Sequence, residues 1–197
     1  MVVEQCTPDP FPLMWPIVAP FWADVDTNNG GTVYYREMTR HVDVKLAEYV
    51  EGIVRNHEIT QPNFELIWLF VATWDQVAFY GYSGQPPMIN NTFQALLVTD
   101  GTSSFAIFNY GDIQWTTGSA SGGKLTGLGG IPAQVLNERS DSQGFVGTQS
   151  YFNENYQELE GVLRNSNYCI FKLHSKVCVC HYRYKILYFN SNHCQAD

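Results

Sequence analysis

The sequence predicts a mainly β fold, an antiparallel β-sandwich-like domain with one amphipathic helix inserted near residues 42–56. Short runs of β-branched and aromatic residues recur between turn-forming clusters, which is the signature of strands. Only one stretch carries a convincing set of apolar residues at three- and four-residue spacing. The spacing of the strand runs favours an antiparallel sandwich over a parallel sheet.

Taken in order, Met1 to Pro16 is rich in proline and reads as an extended lead-in. Ile17 to Ala23 is a short apolar run suited to a buried strand. Residues 24–31, Asp-Val-Asp-Thr-Asn-Asn-Gly-Gly, are dense in turn formers, because Asx side chains bond nearby backbone and glycine accepts positive φ. Thr32 to Glu37 alternates β-branched and aromatic residues, so 17–37 reads as a hairpin with a long loop. In the helix, Leu46, Tyr49, Val50, Ile53 and Val54 share one face, with Lys45, Glu48, Glu51 and Arg55 elsewhere. Asp43 places negative charge at its N-terminus.

After Gln61-Pro62-Asn63, the apolar run Phe64 to Thr73 is long enough to cross a core, and Trp74 to Tyr80 extends it or starts the next element. Gly81 to Asn91 is a loop. Thr92 to Val98 and Ser104 to Asn109 are strands joined through Asp100-Gly101, the strongest hairpin signal in the chain. Ile113 to Thr117 extends the second of these past a bend. Gly118 to Gly130 is a Gly/Ser-rich loop, Ala133 to Leu136 a short strand, 137–150 polar and turn-rich, and Tyr156 to Arg164 weakly helical in pattern.

Composition narrows the function. At 197 residues the chain suits one domain, and its 12 Tyr, 12 Phe and 5 Trp supply a core without disulfide staples. Charged residues are 15%, against roughly 25% in an ordinary soluble domain, which suits a secreted or partner-covered surface. Residues 1–167 hold 7 Lys/Arg against 18 Asp/Glu, so the body is acidic. Nucleic acid and anionic lipid both need a basic footprint and are excluded as partners. No apolar run approaches the roughly 18 residues of a membrane span. The start lacks a basic segment and is broken by prolines at 8, 10, 12, 16 and 20, so no signal peptide is visible. An extracellular protein of this sequence is therefore expected to be a fragment or an incomplete gene model. Cys6, Cys169, Cys178, Cys180 and Cys194 leave an odd thiol and fix no redox compartment.

Asp24, Asp26 and Asn28 alternate like the oxygen donors of a calcium loop. The glycine falls one place late and Tyr35 stands where a bidentate Glu is needed, so this is no EF-hand; an Asx-rich loop is the blander reading. The glycines of 122–130 lack the Gly-Lys-Ser/Thr ending of a phosphate cradle. Asn90-Asn91-Thr92 is an N-glycosylation sequon, with Asn90 as acceptor. His174, Cys178, Cys180, His181, His193 and Cys194 match no closed zinc site in their spacing, nor a complete thiol catalytic set. No catalytic residue and no cofactor are expected. The aromatics Trp22, Tyr34, Tyr35, Trp74, Tyr80, Tyr110 and Trp115 are read first as core. A sugar-stacking surface beside Asp26, Asn109 or Asp112 is the alternative.

Several blocks fall in an order that resembles a known family. Residues 19–26 (Ala-Pro-Phe-Trp-Ala-Asp-Val-Asp) are followed by 30–37 (Gly-Gly-Thr-Val-Tyr-Tyr-Arg-Glu), then by Thr73-Trp74-Asp75-Gln76-Val77. Residues 91–95, 108–118 and 127–134 continue the series. Together they resemble the NIDO domain of nidogen, alpha-tectorin and membrane-mucin type extracellular proteins. The resemblance implies a secreted or cell-surface glycoprotein setting within a larger protein, and a non-enzymatic role in cell–matrix adhesion or matrix assembly. The partners it implies are matrix or cell-surface proteins or glycans; a carbohydrate-binding, lectin-like module is the alternative. The expected organisation is a lead-in over 1–16, a NIDO-like domain over 17–167 and a divergent Cys/His-rich tail over 168–197. The family's closing strand is missing from the tail, so the sheet is expected to lack its last strand.

Overall fold

The computed structural model describes residues 17–85, 88–141, 144–151, 168–173 and 187–188. The elements run β1 (Ile17–Trp22), β2 (Val25–Asp26), β3 (Thr32–Thr39), α1 (Val44–His57), β4 (Trp68–Phe79), β5 (Asn91–Thr99), β6 (Ser104–Ile113), β7 (Gln134–Asp141), β8 (Gly144–Tyr151), β9 (Tyr168–Leu173) and β10 (Leu187–Tyr188). Every pairing among them is antiparallel. A four-stranded sheet runs β10-β1-β7-β8, and a larger sheet runs β2-β4-β5-β6-β9, with β3 also paired to β4.

The central strands β4 to β6 are apolar on both faces, which is why they read as continuous hydrophobic runs in sequence. One face carries Phe70, Ala72, Phe93, Ala95, Leu97, Ala106 and Phe108, packed with Val18 and Phe21 of the small sheet. The other face carries Leu69, Val71, Leu96, Val98, Phe105 and Ile107, packed with Ala47, Val50, Ile53 and Val54 of α1. The strand period of two therefore sorts each strand's side chains between a sheet-on-sheet layer and a helix layer. Burying each such aromatic or branched side chain contributes about 1.5–3 kcal/mol.

The helix starts where Asp43 Oδ1 accepts from the Leu46 N–H at 3.1 Å, a side-chain N-cap. It ends with Arg55 and His57 in its last turn. Its buried face differs from the sequence reading, which left Ala47 out of it. Tyr49 is 63% exposed, and Glu51 is buried. The face turns toward Ala47, Val50, Glu51 and Val54 because two arginines are available to Glu51 there.

Residues 17–37 do not form a hairpin. β1 pairs with β7 and β10, whereas β2 and β3 pair with β4, so the chain changes sheet around Asp24. The turn-rich segment 137–150 lies within the β7–β8 hairpin, whose strands run well past the short strand expected near Leu136. The large sheet also gains a strand where none was expected: Tyr168–Leu173 pairs with β6 in the register Ile107↔Ile170. The lead-in 1–16, the weakly helical stretch 156–164 and the metal and thiol candidates from His174 onward lie outside the described residues.

Candidate functional site

Two polar centres fix the framework around the exposed surface. The first is Glu51, whose side chain is 2% exposed. Its Oε1 accepts from Arg40 Nε at 2.9 Å and from the Leu66 N–H at 2.9 Å, and Arg55 Nη2 lies 3.4 Å from Oε2. Burial raises the carboxyl's proton affinity, but the Arg40 hydrogen bond, the Leu66 N–H and the two guanidinium charges outweigh it and lower its pKa. One carboxylate thus ties α1 to the loops on both of its sides. It is spent on structure.

The second centre is Asn91, fully buried at the start of β5. Its Oδ1 accepts from the Gln114 and Trp115 N–H groups at 2.7 and 3.1 Å, and its Nδ2 donates to the Trp115 carbonyl at 2.8 Å. Trp115 Nε1 in turn donates to the Val77 carbonyl at 3.0 Å. Gly127 passes close beside Trp115 with φ +72°, and a Cβ there would collide with the Trp115 Cβ and press on the Phe79 ring.

The surface left open lies on the helix side of the large sheet, beyond the flank of α1. The register Tyr34↔Thr73↔Gln94↔Asn109 forms one row across β3 to β6. Gln94 Nε2 donates to Thr73 Oγ1 at 2.8 Å, and Asn109 Nδ2 donates to Gln94 Oε1 at 2.9 Å. Tyr34 closes the row and is 58% exposed. Between this row and α1 runs a groove of about 290 Å³, walled by Tyr34, Thr73 and Gln94 and by apolar Leu46, Val71 and Leu96. Arg36 stands at its rim, 3.7 Å from Asp43.

A family model described as "Nidogen-like domain" matches residues 2–170. The chain belongs to the nidogen-like (NIDO) family. It is 47% identical to human alpha-tectorin over 138 residues, covering 68% of this chain and 6% of alpha-tectorin. It is 32% identical to rat nidogen-1 over 171 residues (81% of this chain, 50% of that protein) and 34% identical to human mucin-4 over 111 residues (54% and 2%). The NIDO domain here thus spans a small fraction of the alpha-tectorins. No solved structure matches the chain.

The residues singled out in sequence occupy separate parts of this NIDO domain. Asp24 is buried at the change of sheet, and its carbonyl accepts from the Tyr80 N–H at 2.8 Å. Asp26 spends its carboxylate on the Asn28 N–H at 3.0 Å and Asn29 Nδ2 at 2.7 Å, the self-satisfied Asx loop. Among the described residues no group of three or more His, Cys, Asp or Glu side chains is gathered as metal ligands would be. No helix among them is long and apolar enough to cross a membrane. Asn90 lies in the half-buried approach to β5, where its N–H donates to Gln114 Oε1 at 3.1 Å. The glycines of 122–130 form a tight turn in which the Gly127 carbonyl accepts from Thr116 and Thr117. Trp115 is wholly buried, so it cannot face a sugar.

Of the sugar-contact candidates, Tyr34 and Asn109 belong to the open row; Asp112 is exposed at the β6 bulge and Asp26 ends β2. Thr73 and Gln94 were missed. Counting outward from the Asp100-Gly101 turn places Gln94 opposite Asn109, which is the signal that finds them.

Proposed function

We propose that this NIDO domain is a non-enzymatic, extracellular or cell-surface attachment module through which a larger protein is held to matrix or cell-surface partners. Its family membership and its similarity to the alpha-tectorins carry the reading. The geometry supports it: Glu51, the buried carboxylate with a resolved shift, holds a helix in place, and the open row is neutral and half-exposed. Asn90 is proposed as the glycan-bearing residue, since it is half-buried in the approach to β5 rather than inside the core.

Solid-phase binding to cell-derived matrix tests the attachment reading. The chain, expressed through a secretory pathway, is expected to bind saturably, and its heat-unfolded form is expected not to. Absence of saturable binding to either matrix or intact cells overturns the reading. In the same preparation, a mobility shift on enzymatic deglycosylation that disappears in N90Q is the result expected for Asn90.

A further inference from the structure

We infer that the groove beside α1, with the Tyr34–Thr73–Gln94–Asn109 row, is a binding site for a neutral saccharide. This deepens the attachment reading and rests on it, because it names the chemistry of the partner. Hydrogen-bonding capacity is the first argument. Two bonds link the three side chains, Gln94 taking part in both, which leaves a second Gln94 N–H, the Asn109 carbonyl oxygen and the Thr73 O–H unspent among the described residues. The Asp75 carboxylate, one row further along the same face opposite Thr32, has no partner among the described residues, and neither has the Tyr34 hydroxyl. An apolar partner would bury these groups unpaired, at a cost for each. A polyol offers donors and acceptors to all of them.

Shape and charge narrow the choice. The groove sets aliphatic surface, Leu46, Val71 and Leu96, against a polar wall, and adds the exposed aromatic side chain of Tyr34. A pyranose ring has the same division, with C–H groups on its faces and hydroxyls around its rim. Such a mixed lining, apolar with a few convergent polar groups, is the ordinary composition of a small-ligand site. The cation at the rim, Arg36, already faces Asp43, and Asp75 adds a negative charge. A sulfated or sialylated chain would meet net repulsion, so the occupant is uncharged.

The test is an array of neutral hexose and N-acetylhexosamine oligosaccharides alongside a sulfated and sialylated set, probed with the full chain. At least one neutral member is expected to bind, and Y34A and the double variant T73V/Q94L are each expected to weaken it at least tenfold. Circular dichroism checks that each variant is folded; Y34A alters an exposed ring, so it carries the test if the double variant fails to fold. The inference is overturned if no neutral member binds, if only anionic members bind, or if the variants bind unchanged. Matrix binding separates the two readings. Binding that survives periodate oxidation of the matrix glycans but not protease treatment points to a protein partner and overturns the saccharide site, while attachment stands. No binding to matrix or to intact cells removes attachment itself.

Discussion

Glu51 is a carboxylate on the packed side of a helix, and its partners decide its sign. Removing it leaves Arg40, Arg55 and the Leu66 N–H without their shared acceptor, so E51A is expected to cost about 3–5 kcal/mol, read from denaturant unfolding. E51Q should cost less, because an amide oxygen still accepts from Leu66. The lowered pKa also sets a pH dependence. The stabilisation is complete above the unfolded carboxylate value near 4.5 and is lost as pH falls through the depressed folded value. Wild type should therefore lose Tm more steeply than E51Q as the solution is acidified below that value. The bulge in β4 offers an opposite case. Gln76 holds φ 52°, the one described non-glycine residue at positive φ, where a side chain costs about 1 kcal/mol. Q76G should raise Tm; an unchanged or lower Tm would show that the bulge carries no strain. Neither residue was legible in sequence. Glu51 sits at a position that periodicity assigns to solvent, and nothing in the string Asp-Gln-Val marks a bulge.

The helix was legible at the level of the element because its signals are local: an acidic cap, an apolar spacing and basic residues in the last turn. The cap bond from Asp43 predicts that D43A loses about 1 kcal/mol of stability, while D43N, which keeps an acceptor for Leu46, loses little. Equal losses from both in chemical denaturation would assign the effect to charge rather than capping. The β5–β6 hairpin was legible for the same reason. Asp100 Oδ1 accepts from Thr102 and Ser103 at 2.8 and 2.6 Å, a turn built from its own residues. The pairing of β1 was not. A strand's partner is chosen by packing across the whole chain, and the Asx loop at residues 26–29 imitates a hairpin turn although the chain has already changed sheet around Asp24. The β7–β8 hairpin was hidden by polar composition, which propensity reads as loop.

Across the whole molecule, the two-faced burial of β4, β5 and β6 explains why the mainly β class could be read from long apolar runs. Those runs could not say which face met the helix, since both alternating sets are hydrophobic. The family blocks recognisable in sequence do not gather into one pocket. Some build the core around Trp115 and Asn91, and others, such as Tyr34, Thr73 and Asn109, supply the open row. The connectivity of the sheets carries a kinetic consequence. β4, β5 and β6 pair with sequence neighbours, whereas the register Ile17↔Glu138 requires β1 to wait for a strand synthesised far behind it. Closing so large a loop is slow, so the meander is the expected nucleus and the small sheet its late addition. Conservative truncations such as V98A should slow refolding, and V18A should chiefly hasten unfolding. During that delay the nascent meander presents Phe93, Leu97 and Phe108 to water, and a chain stalled there would seek its missing layer in other molecules.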